Sequence, residues 1–362
     1  MSHTILITGA SGYLGGTLLA QWSQASLPPY KRLLALVRTD EQAAAVQREY
    51  GGGAVGAEPI IFNTKDEAAV HRAVVDNSIT IVFFLIDAMT ATAQGYFISA
   101  LAEVKRRTGL DVHFLHTSGA KIFSSHAGAP TDRPLLDTQE DLYEIQKAQK
   151  PAIPLIQSAV DTNNKVIEQA ESLGVPSYIF VPCIVYGRGE GFGNRISIQT
   201  VAIVQAARAL RRVYSVDKGR PSWPVCHVYD NTTLYLALLR AILKGEKPGS
   251  GKHGYYLASS GHVAWEDLYA AIAGALAKRG AVDDETVQPA TEQTLERMGK
   301  ALGCPKELVA LQLGGRCTFT PRHGAEDLGW KAKFPAEHIL VTAGEEVDLI
   351  LENLSLGDGV RP

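Results

Sequence analysis

Short apolar runs recur along the first half of this chain, and each is followed by a segment of helical composition. Thr4–Thr8, Arg32–Arg38, Pro59–Phe62, Thr80–Ile86, Asp111–Ser118 and Ser177–Pro182 read as strands. Tyr13–Ser23, Glu41–Glu49, Asp66–Val75, Tyr96–Thr108 and Val160–Leu173 read as helices. The runs are β-branched and show little in–out alternation, as strands covered on both faces do. Strand and helix in repeated alternation impose a parallel sheet with right-handed crossovers. The expected class is therefore α/β, a doubly wound parallel sheet. After about Gly187 the rhythm loosens, and a smaller C-terminal α/β lobe is expected.

The first strand runs directly into "TGASGYLGG". Gly9 suits a tight turn off the strand, Gly12 leaves the backbone open to a diphosphate, and Gly15 lets the helix press on the sheet. A helix beginning there offers free N–H groups and the positive end of its dipole. The turn Gly9, Ser11, Gly12, Tyr13, Leu14 and Gly15 is thus the candidate dinucleotide-binding surface of a Rossmann-type sheet. Cofactor choice is written at the end of the second strand, where an acidic residue would hold the ribose hydroxyls of NAD. "LVRTD" puts Arg38 there, and a guanidinium suits a 2′-phosphate. NADP(H) is expected over NAD(H), with Asp40 close enough to reverse the preference.

The chain has 362 residues, 46% apolar and 20% charged, with net charge −3. That length accommodates a nucleotide-binding unit over 1–187, a returning segment at about 224–243, and a substrate lobe over 188–362. The small negative charge gives no reason to expect nucleic acid or anionic lipid as a partner. Cys183, Cys226, Cys304 and Cys317 lie in no C-x-x-C spacing, so no zinc or dithiol motif is expected. No signal peptide is legible at the start and no apolar run spans a bilayer, so a cytoplasmic protein without membrane partners is expected.

Further segments match one family in order. "HFLHTSG", "NNKVIEQA", "VPSYIFVPCIVYGRG" and "VCHVYDNTTLYLALL" follow the glycine turn. Together they resemble the extended short-chain dehydrogenase/reductases, including their epimerase/dehydratase-like and NmrA-like branches. The resemblance runs from about Thr4 to Leu243 and implies a Tyr-x-x-x-Lys pair helped by a hydroxyl. A lysine cation lowers the phenol pKa of about 10 and binds the nicotinamide ribose. The resemblance alone implies a homodimer.

The active site it implies is altered here. Lys165 corresponds to the family lysine and is a candidate for both cofactor binding and catalysis, but Asp161 stands where tyrosine is usual. Tyr143 and Lys147 in "YEIQK" have the right spacing yet precede what reads as an inserted segment. Ser118 is the candidate hydroxyl, although Gly119 is an alternative match. Asp161 acts as acid or base if burial raises its pKa. Ile184, after the sixth strand, offers backbone to the nicotinamide carboxamide. The glycine-rich Gly187–Ser197 reads as a lid or a plain surface loop, and Trp223 and His227 as lining for an aromatic pocket. His113 and His116, three apart on a strand, point to opposite faces and form no metal site.

Three functions fit this pattern. The first is an NADP(H)-dependent oxidoreductase acting on a carbonyl or alcohol of a small organic substrate. The second is an epimerase, dehydratase or isomerase without net redox. The third is a non-catalytic sensor of dinucleotide.

Overall fold

The computed structural model describes residues 3–53 and 55–354. Six expected strands form, most of them slightly shorter than the apolar runs that announce them. They are β1 (Thr4–Ile7), β2 (Arg32–Val37), β3 (Ala57–Ile61), β4 (Ile81–Phe84), β5 (His113–Thr117) and β6 (Ser177–Pro182). The stretch "GYYLAS", an isolated strand by its sequence, joins them as β7 (Tyr255–Ala258), with Tyr255 paired to Ile179. The sheet runs β7-β6-β5-β4-β1-β2-β3, and every neighbouring pair is parallel. Strand order reverses between β1 and β4, which opens the crevice where such sheets bind ligands.

The helices up to residue 243 are α1 (Tyr13–Ala20), α2 (Asp40–Tyr50), α3 (Glu67–Asp76), α4 (Thr92–Thr108), α5 (Leu142–Ala148), α6 (Pro154–Ser172), α7 (Gln199–Leu210), which packs on the C-terminal helices, and α8 (Val228–Leu243). Consecutive residues on β4 show that both faces are covered. Phe83 meets Tyr235 of α8, while Phe84 meets Phe97 of α4. On the α8 face Tyr235 also stacks on Phe180 at 3.4 Å between centroids. Its hydroxyl reaches Thr117 Oγ1 at 2.6 Å. His113 bonds Tyr178 on that face, whereas His116 lies beside Phe84 on the other, so the two histidines do point apart. Helix α6 starts well before Val160, because Pro154 occupies its first turn, where the missing N–H costs nothing.

Beyond β6 a small sheet forms from Ile184–Tyr186, Ser222–His227 and Gly261–Ala264. Two buried carboxylates join distant segments. Asp137 accepts from the amides of Leu257, Arg322 and His323. Glu346 accepts from the amide of Gly187 and the hydroxyl of Thr200. All four cysteines carry free thiols. Among the described residues, no helix is long and apolar enough to cross a membrane.

Candidate functional site

The glycine turn lies at the carboxyl edge, next to the point where strand order reverses. Gly9 has φ +66°, so it makes the tight turn that a side chain would strain. A Cβ on Gly15 would stand 2.3 Å from the Gly9 carbonyl oxygen, so the helix can start this close to the strand only with glycine there. Gly12 is the N-cap of α1 in extended conformation and provides no side-chain cap. The first-turn amides of Tyr13 and Leu14 are left to a ligand, and Ser11 to Leu14 are part-exposed. Ile86, against Gly9, and Met89, three residues on, are 42% and 40% exposed, apolar surface that suits a flat ring. Arg38 follows β2 and is exposed, and among the described residues its guanidinium has no partner. These features fit a dinucleotide: an uncapped cradle for a diphosphate, an apolar floor and a free cation at the adenosine end.

Gly16 answers to a different contact. The segment Gly187–Ser197 packs against α1 and the glycine turn as a looped strap, closed by the Gly189 amide donating to the Arg195 carbonyl. Three of its glycines make the close contacts. A Cβ on Gly189 would meet the Tyr13 ring at 2.8 Å, one on Gly191 the Gly16 Cα at 2.6 Å, and one on Gly193 the Ser11 oxygen at 2.0 Å. The Asn194 amide donates to the Ser11 carbonyl and the Tyr13 hydroxyl to that of Gly187. The Tyr13 phenol is thereby committed to the strap, and burial pushes its pKa well up.

The catalytic candidates are not brought together: among the described residues no hydrogen bond or ion pair joins Ser118, Tyr143, Asp161 and Lys165. The Tyr143 hydroxyl donates to Glu168 at 2.6 Å, and Lys147 bridges both. Glu168 is near the end of α6, and Lys252, over the Tyr143 ring, precedes β7. Tyr143 therefore sits toward the amino edge of the sheet, opposite the glycine turn. Lys165 is exposed, and Asp161 accepts from Gln157 at 2.8 Å. Both lie on the face of α6 turned away from its buried stripe of Ala159, Asn163, Val166 and Ala170. Ile184 is fully buried and its strand pairs with Ser222–His227. Trp223 packs on Trp265 and His126, and His227 on Phe334 and Tyr186, so these rings fill core and do not line one pocket.

Two polar side chains do stand at the carboxyl edge without partners. Ser118 follows β5, with its amide bonded to Phe180 and its Oγ buried and unbonded. Lys121, in the single turn Ala120–Phe123 just beyond, is part-buried, and its Nζ has no partner among the described residues. Burial brings its pKa down to about 8. Nothing in "SGAKIF" marks this lysine, since burial is not written in local sequence.

The model of the NAD dependent epimerase/dehydratase family matches residues 5–251. The chain belongs to that family. Solved structures of the same fold extend over nearly all of it. An NAD complex of dTDP-glucose 4,6-dehydratase from Bacillus anthracis is 11% identical, covers 97% of each chain and has a TM-score of 0.65. UDP-glucose 4-epimerase from Thermotoga maritima is 16% identical over 97% of this chain and 100% of its own, with a TM-score of 0.61. PA4631, a nucleoside-diphosphate-sugar epimerase from Pseudomonas aeruginosa, is 19% identical over 98% and 99%, with a TM-score of 0.61. No curated protein matches the sequence significantly. Membership of the epimerase/dehydratase family agrees with the glycine turn and sheet order.

Proposed function

We propose that the chain binds a nicotinamide dinucleotide along the carboxyl edge and acts on a hydroxyl-bearing carbon of a small organic substrate without net redox, as an epimerase or dehydratase does. The single observation that carries this reading is the uncapped glycine turn at the strand-order reversal, in a chain of the epimerase/dehydratase family. The dinucleotide, when bound, supplies a reversible hydride acceptor. Gly9, Gly12, Gly15 and the amides of Tyr13 and Leu14 hold its diphosphate. Ile86 and Met89 provide an apolar surface for a ring. Arg38 takes a 2′-phosphate, so NADP is preferred to NAD. The hydroxyl of Ser118 orients the substrate.

Calorimetry with NAD and NADP tests the binding half, and absence of binding ends the reading. The reaction half is tested with nucleoside diphosphate sugars followed by NMR. Product formation with no net change in reduced-nicotinamide absorbance is expected. A stoichiometric absorbance change would establish the net oxidoreductase instead. Binding without turnover of any substrate would leave the sensor.

A further inference from the structure

Three lysines compete for a role beside the substrate, and their surroundings separate them. Lys147 is tied to Glu168 at 2.6 Å toward the amino edge of the sheet. Lys165 points to solvent on the outer face of α6. Lys121 lies at the carboxyl edge beyond β5, the strand next to β4 at the reversal point. A part-buried ammonium is normally matched by a carboxylate, because desolvating an unpaired charge is costly. Lys121 has no such match among the described residues.

Its backbone is held firmly. The Ser124 hydroxyl donates to the Lys121 carbonyl at 2.6 Å. Ile122 and Phe123 are buried, and Phe123 stacks on Phe319 with centroids 4.1 Å apart. The Cys317 thiol meets the carbonyls of Ala120 and Phe123. Helix α6 packs against the same turn and carries Asn164, whose buried Oδ1 has no partner. Ser118, three residues before Lys121, carries another unpartnered buried oxygen. Buried polar groups are usually satisfied within a folded protein, and Ser118 and Lys121 leave two such groups open three residues apart at the carboxyl edge, which suits a ligand.

We propose that Lys121 meets the oxygen on the reacting carbon of the substrate and carries its proton, the role for which the expected pattern supplies a tyrosine. This rests on the dinucleotide-dependent reading above. In the forward step the alcohol O–H bond breaks and its proton passes to the neutral amine of Lys121. The C=O bond forms as the carbon releases hydride to the nicotinamide dinucleotide. The reverse step returns hydride to carbon and the proton to oxygen, so atoms and electrons balance over the turnover. Burial raises the acidity of this ammonium. The titratable groups on the elements around it are Asp161 and Lys165 on α6, His126 in the adjoining turn and Cys317 opposite. With a pKa of about 8, roughly half the amine is neutral at pH 8. An unperturbed lysine has less than about one part in a hundred neutral there.

The test uses the full chain and trinitrobenzenesulfonate, which reacts only with neutral amines, followed by peptide mapping at pH 8. Lys121 is expected to react at least about 10-fold faster than Lys165 and the other exposed lysines. Saturating NADP should slow that reaction, and Lys121→Met should abolish it while still binding NADP within about 3-fold of the parent. The melting temperature of Lys121→Met, compared with that of the parent chain, controls for folding. Labelling no faster than at Lys165 overturns the proposal. So does labelling that bound NADP fails to slow, since Lys121 would then face away from the nicotinamide end. If calorimetry finds no dinucleotide binding to the parent chain, the functional reading itself has failed, and that result is separate from the labelling rate.

Discussion

Gly15 and Arg38 are assigned to the same proposed cofactor edge for different reasons, and substitution separates them. Gly15→Ala forces a Cβ to 2.3 Å from the Gly9 oxygen, so backbone must move. A loss of about 2 kcal/mol is expected, measured as a lower urea midpoint, with dinucleotide binding weakened alongside. Arg38→Asp touches no packed group. It should leave the melting temperature within a degree or two and weaken NADP about 30-fold, the ~2 kcal/mol of a charge-assisted hydrogen bond. NAD affinity should stay level or rise. Calorimetry with both nucleotides checks this, and equal weakening of both would remove the 2′-phosphate role. Gly9, Gly12 and Gly15 were legible because their constraint is local, one turn off one strand. Lys121 was not, because its neighbours come from α6 and from the Cys317 segment, far along the chain.

Among elements, the strap along α1 has the most direct consequence for the site. Its glycines at 189, 191 and 193 allow backbone to lie on helix, and the Asn194 amide pins the Ser11 carbonyl in the glycine turn. Gly193→Ala would drive a Cβ to 2.0 Å from the Ser11 oxygen and displace that turn. NADP affinity is expected to fall at least about 10-fold, with stability lowered by about 1–3 kcal/mol. Gly52→Ala, where a Cβ meets nothing within 4 Å and φ is not in the left-handed region, serves as the neutral control. Retained affinity in Gly193→Ala would show that the strap does not position the turn. The alternation G-x-G-x-G is visible in the sequence, but its partner helix lies more than 150 residues earlier, so pattern alone left lid and surface loop both open. The Tyr143–Lys147 pair shows the same limit. Its spacing was correct for one helix face, yet α5 delivers it to Glu168 at the wrong edge of the sheet.

For the molecule as a whole, the buried histidines set the acid limit. His113 and His116 are both held near pKa 4, by burial first. The unfolded chain binds their protons at about 6.5, so it holds more protons than the fold between roughly pH 6.5 and 4. Their contribution is complete above pH 6.5 and declines as pH falls through that window. At pH 5 each costs about 2 kcal/mol, so urea midpoints should drop between pH 7 and 5. His116→Phe should flatten the slope by the share of one histidine, and an unchanged slope would remove His116 from the account. The order of strands and helices along the chain, the parallel sheet and the glycine cradle all follow from patterns a few residues long. Period, β-branching and glycine spacing act on the backbone locally, and so they can be read from the chain. Which lysine stands at the carboxyl edge, which tyrosine is spent on Glu168 and what lies on α1 depended on burial and on contacts between remote segments. Those are properties of the packed molecule, because desolvation and steric fit arise only when the segments meet.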